Sequence, residues 1–466
     1  MATIRPRTGI RPPAPPRGAR PSRRSLLGIA AAGIALPPAL SGCSYFTADT
    51  DPDALRFTFW GSPEEKDAVT SVMDMYTGTS GVTTVAEHIP GDYATKLNAL
   101  VAGNIEPDAG YLPEAMAMRL GAAGRIDDLF AQGDRYPKLT GLMPSAVHQW
   151  TPGSGTMQSA VEVIMLYIDP EVCAAAGVAP PTRLDEAFDP DGFVAAADAL
   201  TVDREGRHPS EAGFAPHSIE RYGISGLSGT QSLYNLLHSN GCPVFDEAGT
   251  RSLFSTPEAV EVVTWVQELI HEHRVMPSPA QMQSVGGDAP GQLGSGRVAM
   301  VSTGQWELLN FTGTEMPYDV AVLPSFGQPA VMTYSGANAV FSSSPRLEET
   351  WELMNMLADP EVNPLFTNGL WMPVQEHCYR DEEFIARWTS GEVYPPGYRE
   401  ACIDATREAA IPSPHYSIRD YDRIDTQIGN ILSSAWSGET PAREACAALD
   451  SQLEGLLQGR YEEAAL

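Results

Sequence analysis

Leu55-Arg56-Phe57-Thr58-Phe59-Trp60-Gly61-Ser62-Pro63-Glu64-Glu65 is the stretch whose reading decides the fold. Leu55, Phe57 and Phe59 alternate as on a strand with one buried face. Gly61 breaks the strand. A helix then starts, with Ser62 as N-cap, Pro63 at the first helical position and Glu65 placed to close a capping box. Val69, Val72, Met73 and Tyr76 give that helix one apolar stripe. A β-like segment follows over 82–88, then a helix over 93–102 with Leu97, Leu100 and Val101 on one side. The loop 103–108 leads to a short strand, 109–112, and a helix over 114–121. Strand, helix, strand, helix predicts a parallel α/β sheet.

Farther along, the run 161–168 (Val-Glu-Val-Ile-Met-Leu-Tyr-Ile) predicts a strand that opens a second region. Helices are expected over 184–200, 230–239 and 257–273, and strands over 297–302 and 318–323. Residues 348–357 read as an amphipathic helix with Trp351, Met354 and Leu357 in phase, and 421–461 as a largely helical tail. About 420 residues beyond the N-terminal segment exceed what one hydrophobic core usually covers, which predicts two lobes.

These pieces occur in an order that resembles the extracellular sugar-binding proteins of ABC importers, family 1, the maltose-binding-protein group. The resemblance rests on Phe57–Gly61, on Lys96-Leu97-Asn98-Ala99-Leu100-Val101-Ala102-Gly103 running to Pro107-Asp108, and on 120–129. It continues through Gly296-Arg297-Val298-Ala299-Met300, Gly304-Gln305-Trp306, 318–324 and Gly336-Ala337-Asn338 to the helix 351–357. Each motif is weak by itself, and their shared order covers about 300 residues. The resemblance implies an α/β, two-lobed periplasmic-binding-protein-like fold (class II), with hinge strands and a central ligand cleft. It implies lobe one at 54–160 plus 300–343 and lobe two at 161–299 plus 344–466. It also implies a monomer that captures a mono- or oligosaccharide, passes it to ABC permease subunits and needs no cofactor. Segments 201–222 and 412–423 depart from the family pattern and leave the cleft rim open.

The first 42 residues carry seven Arg and no acid, with Arg23-Arg24 directly before the apolar run 26–40. A twin arginine ahead of an apolar stretch is the pattern of a Tat export signal, and about 15 residues suit a signal better than a membrane span. The run ends in Leu40-Ser41-Gly42-Cys43, which resembles a lipobox. Residues 1–42 therefore read as a cleaved signal, Cys43 as the lipidated anchor and 43–53 as a flexible leash. The expected location is the outer face of the cell membrane. Five further cysteines, Cys173, Cys242, Cys378, Cys402 and Cys446, leave at least one unpaired. A Cys378–Cys402 bridge is the one pairing considered.

Without the signal, 23 basic side chains face 59 acidic ones, a net charge of −36. Such a surface repels nucleic acid and anionic lipid, so no nucleic-acid partner is expected. A sugar presents an apolar face and a rim of hydroxyls, which calls for flat aromatics beside fixed hydrogen-bonding groups. The expected ligand set is Trp60, Ser62, Glu65, Asp108, Tyr111, Trp306, Tyr334 and Trp371. Trp60 and Tyr111 fall near carboxyl ends of strands, where α/β sheets bind ligands, and Ser62 sits among free helix amides. Glu65 and Asp108 can accept hydroxyl hydrogen bonds. The resemblance points to Trp306 as a ring that stacks on the sugar. The competing reading places the aromatics in the core and Asp108 in a turn.

Three rival functions stand beside this one, among them a sensory or adhesion lipoprotein using the same fold. A solute-binding protein for a polyamine, peptide or metal would suit the acidity. A secreted glycan hydrolase would need a catalytic constellation, and G-x-S-x-G, H-E-x-x-H and P-loop motifs are missing from the sequence. His271-Glu272-His273 ends a helix, where histidine suits the dipole. Asp127-Asp128 are neighbours in sequence and rarely aim at one bond. No metal site or catalytic residue is expected.

Overall fold

The computed structural model describes residues 53–461. The segment expected to be an export signal, Cys43, and all of the expected leash but Asp53 lie outside them. In chain order the early strands are β1 (Leu55–Phe59), β2 (Thr84–His88), β3 (Ala109–Leu112), β4 (Val147–Thr151) and β5 (Ser154–Met157). Next come β6 (Glu162–Ile168), β7 (Val202–Asp203), β8 (Ile219–Ser225) and β9 (Val298–Gly304). The last are β10 (Asp319–Ala321), β11 (Val331–Tyr334), β12 (Ala337–Val340) and β13 (Ala410–Pro412).

Two main sheets result. The first runs β12-β3-β1-β2, with β1, β2 and β3 parallel and β12 antiparallel at the edge. Leu55, Phe57 and Phe59 are fully buried, as their alternation demands. The helix Pro63–Ser80 starts where expected: Ser62 Oγ accepts from the Glu65 amide at 3.2 Å, and Gly81 closes the far end in the left-handed region. The second sheet is larger, β13-β11-β6-β9-β8-β7, with β10 also pairing to β6. Helices Thr230–Ser239, Pro257–His271, Tyr421–Trp436 and Ala442–Leu453 bury their apolar faces in the core of this lobe.

The chain crosses between the sheets at two paired segments. Residues 158–161 lead from the β4–β5 hairpin into β6, and Ser335-Gly336 lead from β11 into β12. These segments lie antiparallel: the Ser159 amide and hydroxyl both donate to Gly336 O, at 2.7 and 2.9 Å. The Ser159 and Ser335 hydroxyls lie 3.0 Å apart. Val161 and Met372 exchange backbone bonds, which adds a third segment. Residues 412–423, outside the family pattern, brace this crossing: Tyr416 donates its hydroxyl proton to Ser335 O at 2.7 Å.

The lobe boundaries expected from sequence need correction. Within 300–343 only β12 joins the first sheet, while β9, β10 and β11 pair in the second. The helix Leu347–Leu357, expected in lobe two, packs instead on lobe one. There Tyr76 bonds to Glu349 O at 2.8 Å, and the Trp351 indole bonds to Asp127 at 2.8 Å. Hydrophobic periodicity identifies a strand but not the sheet it joins, which is why the split was misplaced.

Other expectations meet local chemistry. Pro190 restarts the helix expected over 184–200, leaving a separate turn at Leu184–Glu186. His271 Nε2 lies 3.0 Å from Trp436 O, so this ring ties two helices together. Asp128 Oδ1 accepts from Phe130 and Gly155 amides, a loop role. Cys173, Cys242, Cys378, Cys402 and Cys446 are all free and buried, so the Cys378–Cys402 bridge does not form. Among the described residues no helix is long and apolar enough to cross a membrane.

Candidate ligand-binding site

A cavity of about 540 Å³ opens between the two lobes, floored by the crossing segments. The first lobe builds one wall from the carboxyl ends of its strands. Trp60 follows β1, Tyr111 lies in β3, and Ser62 and Glu65 begin the helix after β1. The Trp60 ring meets Tyr93 and Tyr111 edge-on, with centroids 5.0 and 5.1 Å away. Tyr111 leans in turn on Trp371 at 5.8 Å. Tyr93 is anchored by its hydroxyl to Tyr111 O at 2.7 Å. Trp60 remains half-buried, whereas Tyr111 and Trp371 are 3% and 2% exposed and support it from behind.

The second lobe faces this wall with Trp306, Gln231, Asn310 and Tyr334. Trp306 sits in the tight turn Gln305–Phe311 directly after β9 and is half-buried. Its ring folds back over Gly304, where an added Cβ would lie 2.1 Å from ring atoms. Gly336 does the same for Trp60, since a Cβ there would come within 2.6 Å of the indole. Both indoles therefore depend on a missing side chain beneath them. Buried Gln305 donates to Gly369 O at 2.5 Å, which ties the Trp306 turn to the loop carrying Trp371. Tyr334 is 1% exposed, with its hydroxyl donated to Gln231 O at 3.0 Å.

Seven of the eight side chains expected from sequence thus line one cavity: Trp60, Ser62, Glu65, Tyr111, Trp306, Tyr334 and Trp371. Asp108 does not. It sits at the opposite, amino end of β3. One of its oxygens accepts from the Arg56 amide at 2.8 Å and the other from the Ser344 hydroxyl at 2.5 Å. Its carboxylate stitches the far edge of the first sheet, the turn reading weighed above.

Sequence reasoning missed two acids. Glu114 opens the helix that follows β3, much as Glu65 lies in the first turn of the helix that follows β1. That signal was available. Glu162 is the first residue of β6, an acid opening an otherwise apolar strand, and it faces the cavity floor. Ser159, Ser335 and Gly336 were missed as well, because nothing local marks a chain crossing.

The three carboxyl groups share an environment that disfavours their charge. Burial pushes Glu65 up to about 7, opposed by the Tyr111 hydroxyl and the Ser62 amide. Burial, then the neighbouring Glu65 and Glu114 carboxyls, push Glu162 up to about 8, opposed by Ser335. Burial likewise raises Glu114. Among the described residues, the cavity lining contains no Lys, Arg or His.

The arrangement can hold a polar ring between two indoles and offer carboxyl, hydroxyl and amide groups to its rim. The fold and the cavity together define a two-lobed solute-binding protein. The chain belongs to the bacterial extracellular solute-binding protein family, whose profile matches residues 71–389. No curated protein sequence matches the chain.

Solved structures share the fold. An ABC substrate-binding protein of Listeria monocytogenes, in complex with cycloalternan, is 20% identical with a TM-score of 0.70, covering 87% of this chain and 99% of its own. The GacH receptor of Streptomyces glaucescens, solved unliganded and with acarbose, is 17% identical with a TM-score of 0.68, covering 87% and 99%. Maltose-bound MalE3 of T. maritima is 18% identical with a TM-score of 0.68, covering 87% and 100%.

The raised carboxyls carry a stability consequence. An acid whose pKa rises on folding holds its proton more tightly in the folded chain than in the unfolded one. The Glu162 contribution is therefore unpenalised below its ordinary value of 4.5 and worsens as pH climbs toward about 8. The ligand-free protein is expected to melt progressively lower from pH 5 to pH 8, and Glu162→Gln should flatten that slope. Calorimetric melting across this range checks it; parallel slopes for both proteins would refute the assignment to Glu162.

Proposed function

We propose that this protein captures a carbohydrate between its lobes and delivers it to the permease of an ABC-type importer. The observation that carries the reading is the pair of half-buried indoles, Trp60 and Trp306, on opposite walls of one cavity. Each can cover one apolar face of a sugar ring. Glu65, Glu162, Gln231 and Asn310 then stand where ring hydroxyls would need partners. Ser62, Tyr111, Tyr334 and Trp371 complete the proposed ligand set. The sugar-bound relatives support the same class of solute. A ligand touching both walls favours the closed arrangement over the open one, and the permease reads closure. The family is one of binding proteins, and the proposed cycle needs no covalent step.

Lipid attachment at Cys43 would hold the protein at the outer membrane face, near that permease. Cys43→Ser, expressed in a host that lipidates exported proteins, should move the protein from the membrane fraction to the soluble fraction. Unchanged fractionation would exclude the anchor.

A thermal-shift screen over mono- and oligosaccharides should find one class that raises the melting temperature. A shift by a non-sugar solute, with none by any sugar, would remove the carbohydrate assignment. For the best sugar, Trp306→Ala should weaken binding more than tenfold by titration calorimetry, about 1.4 kcal/mol. An unchanged affinity would take Trp306 out of the contact.

A further inference from the structure

We propose that the captured carbohydrate carries a positive charge, an amino group on the sugar, received by Glu65, Glu114 and Glu162. The inference rests on the carbohydrate reading above and names the class of sugar.

Three acids reach the cavity from three separate places: the helix after β1, the helix after β3 and the start of β6. Among the described residues the salt bridges include none of the three, and the lining supplies no basic group. Their structural uses are few. Ser62 caps its helix through its own hydroxyl, and the Glu65 carboxyl folds against Gly61 at the cavity edge, beside the Ser62 amide. Glu114 and Glu162 converge on Ser335, one toward its amide and one toward its hydroxyl. The Tyr111 hydroxyl, 97% buried and lining the same cavity, neighbours Glu65 and completes no well-formed hydrogen bond.

A neutral sugar does not require this arrangement. Its hydroxyls are served as well by amides and serines, which need no counter-charge when buried. Three carboxyls with no cation nearby repel one another and lose hydration, so an apolar or amide lining would be more stable. A ligand ammonium reverses both costs, because it neutralises the cluster and donates charge-assisted hydrogen bonds to its carboxylate oxygens. A metal ion is the other cation that could do so. Among the described residues, however, no three acids, cysteines or histidines gather tightly enough to hold one. The indoles beside the carboxyls favour a cation carried on a ring over a bare linear amine, since they offer flat area as well as negative potential.

The test is a set of matched pairs on the intact wild-type protein at pH 7, measured by titration calorimetry. The pairs are glucose and glucosamine, galactose and galactosamine, mannose and mannosamine, and cellobiose and the fully deacetylated chitosan disaccharide. In at least one pair the amine should bind tenfold or more tighter, and N-acetylation should abolish the preference. Glu162→Gln should narrow that preference at least threefold; Glu65→Gln serves if the first variant melts abnormally. Absence of a tenfold amine preference in every pair overturns the inference. If neutral sugars nonetheless bind, the carbohydrate reading survives that failure. Binding of spermidine with no binding of any sugar overturns both.

Discussion

The structure depends on two strands of chain passing each other between the lobes. Ser159 and Gly336 hold them together through two hydrogen bonds onto a single carbonyl oxygen, and Ser335 adds its hydroxyl. Everything in the cavity is positioned from this crossing. Glu162 follows one strand by three residues, and Tyr334 precedes the other by one. Gly336 leaves room for the Trp60 indole. Ser335 has φ near 138°, a region that side chains rarely adopt, and such strain costs about 1–3 kcal/mol. The Tyr416 hydroxyl on its carbonyl and the paired segment at its flank hold it there. Strain at the meeting point of two lobes, beside the ligand cavity, is where a binding protein can use it.

The cavity also sets two physical demands against each other. Aromatic rings gain by burial, and Tyr111, Tyr334 and Trp371 are buried almost completely. Carboxyl groups lose by burial, and Glu65 and Glu162 answer by holding protons near neutral pH. The buried rings stiffen the wall, while Trp60 and Trp306 stay partly open to the cavity. Burying the acids together costs stability. In the proposed reading, a solute that pairs with them recovers that cost.

Much of the fold was legible from local pattern. The strand at 109–112 and the helix over 230–239 end where periodicity and breakers place them. The Ser62 cap and Pro63 start follow from backbone chemistry within four residues. Five of the six aromatic residues lining the cavity were expected from sequence, whereas Tyr93 on the second helix was missed. Trp60 was legible because it falls just beyond a strand of an α/β sheet. Asp108 was misplaced for the same reason in reverse: it lies at the amino end of its strand, where carboxylates serve neighbouring amides. The allocation of β9, β10 and β11 was not legible, since the pattern of a strand does not record which sheet it joins.

By itself the sequence determined the element types, the caps, the α/β class and the family order of motifs. These are set by contacts between residues a few positions apart, so spacing reveals them. Only the tertiary structure decided which sheet each late strand joined, that Glu65, Glu114 and Glu162 share one cavity, and that Trp60 and Trp306 line it from different lobes. Those relations join residues up to about 250 positions apart. They arise when the chain crosses between lobes, and no local pattern records a crossing.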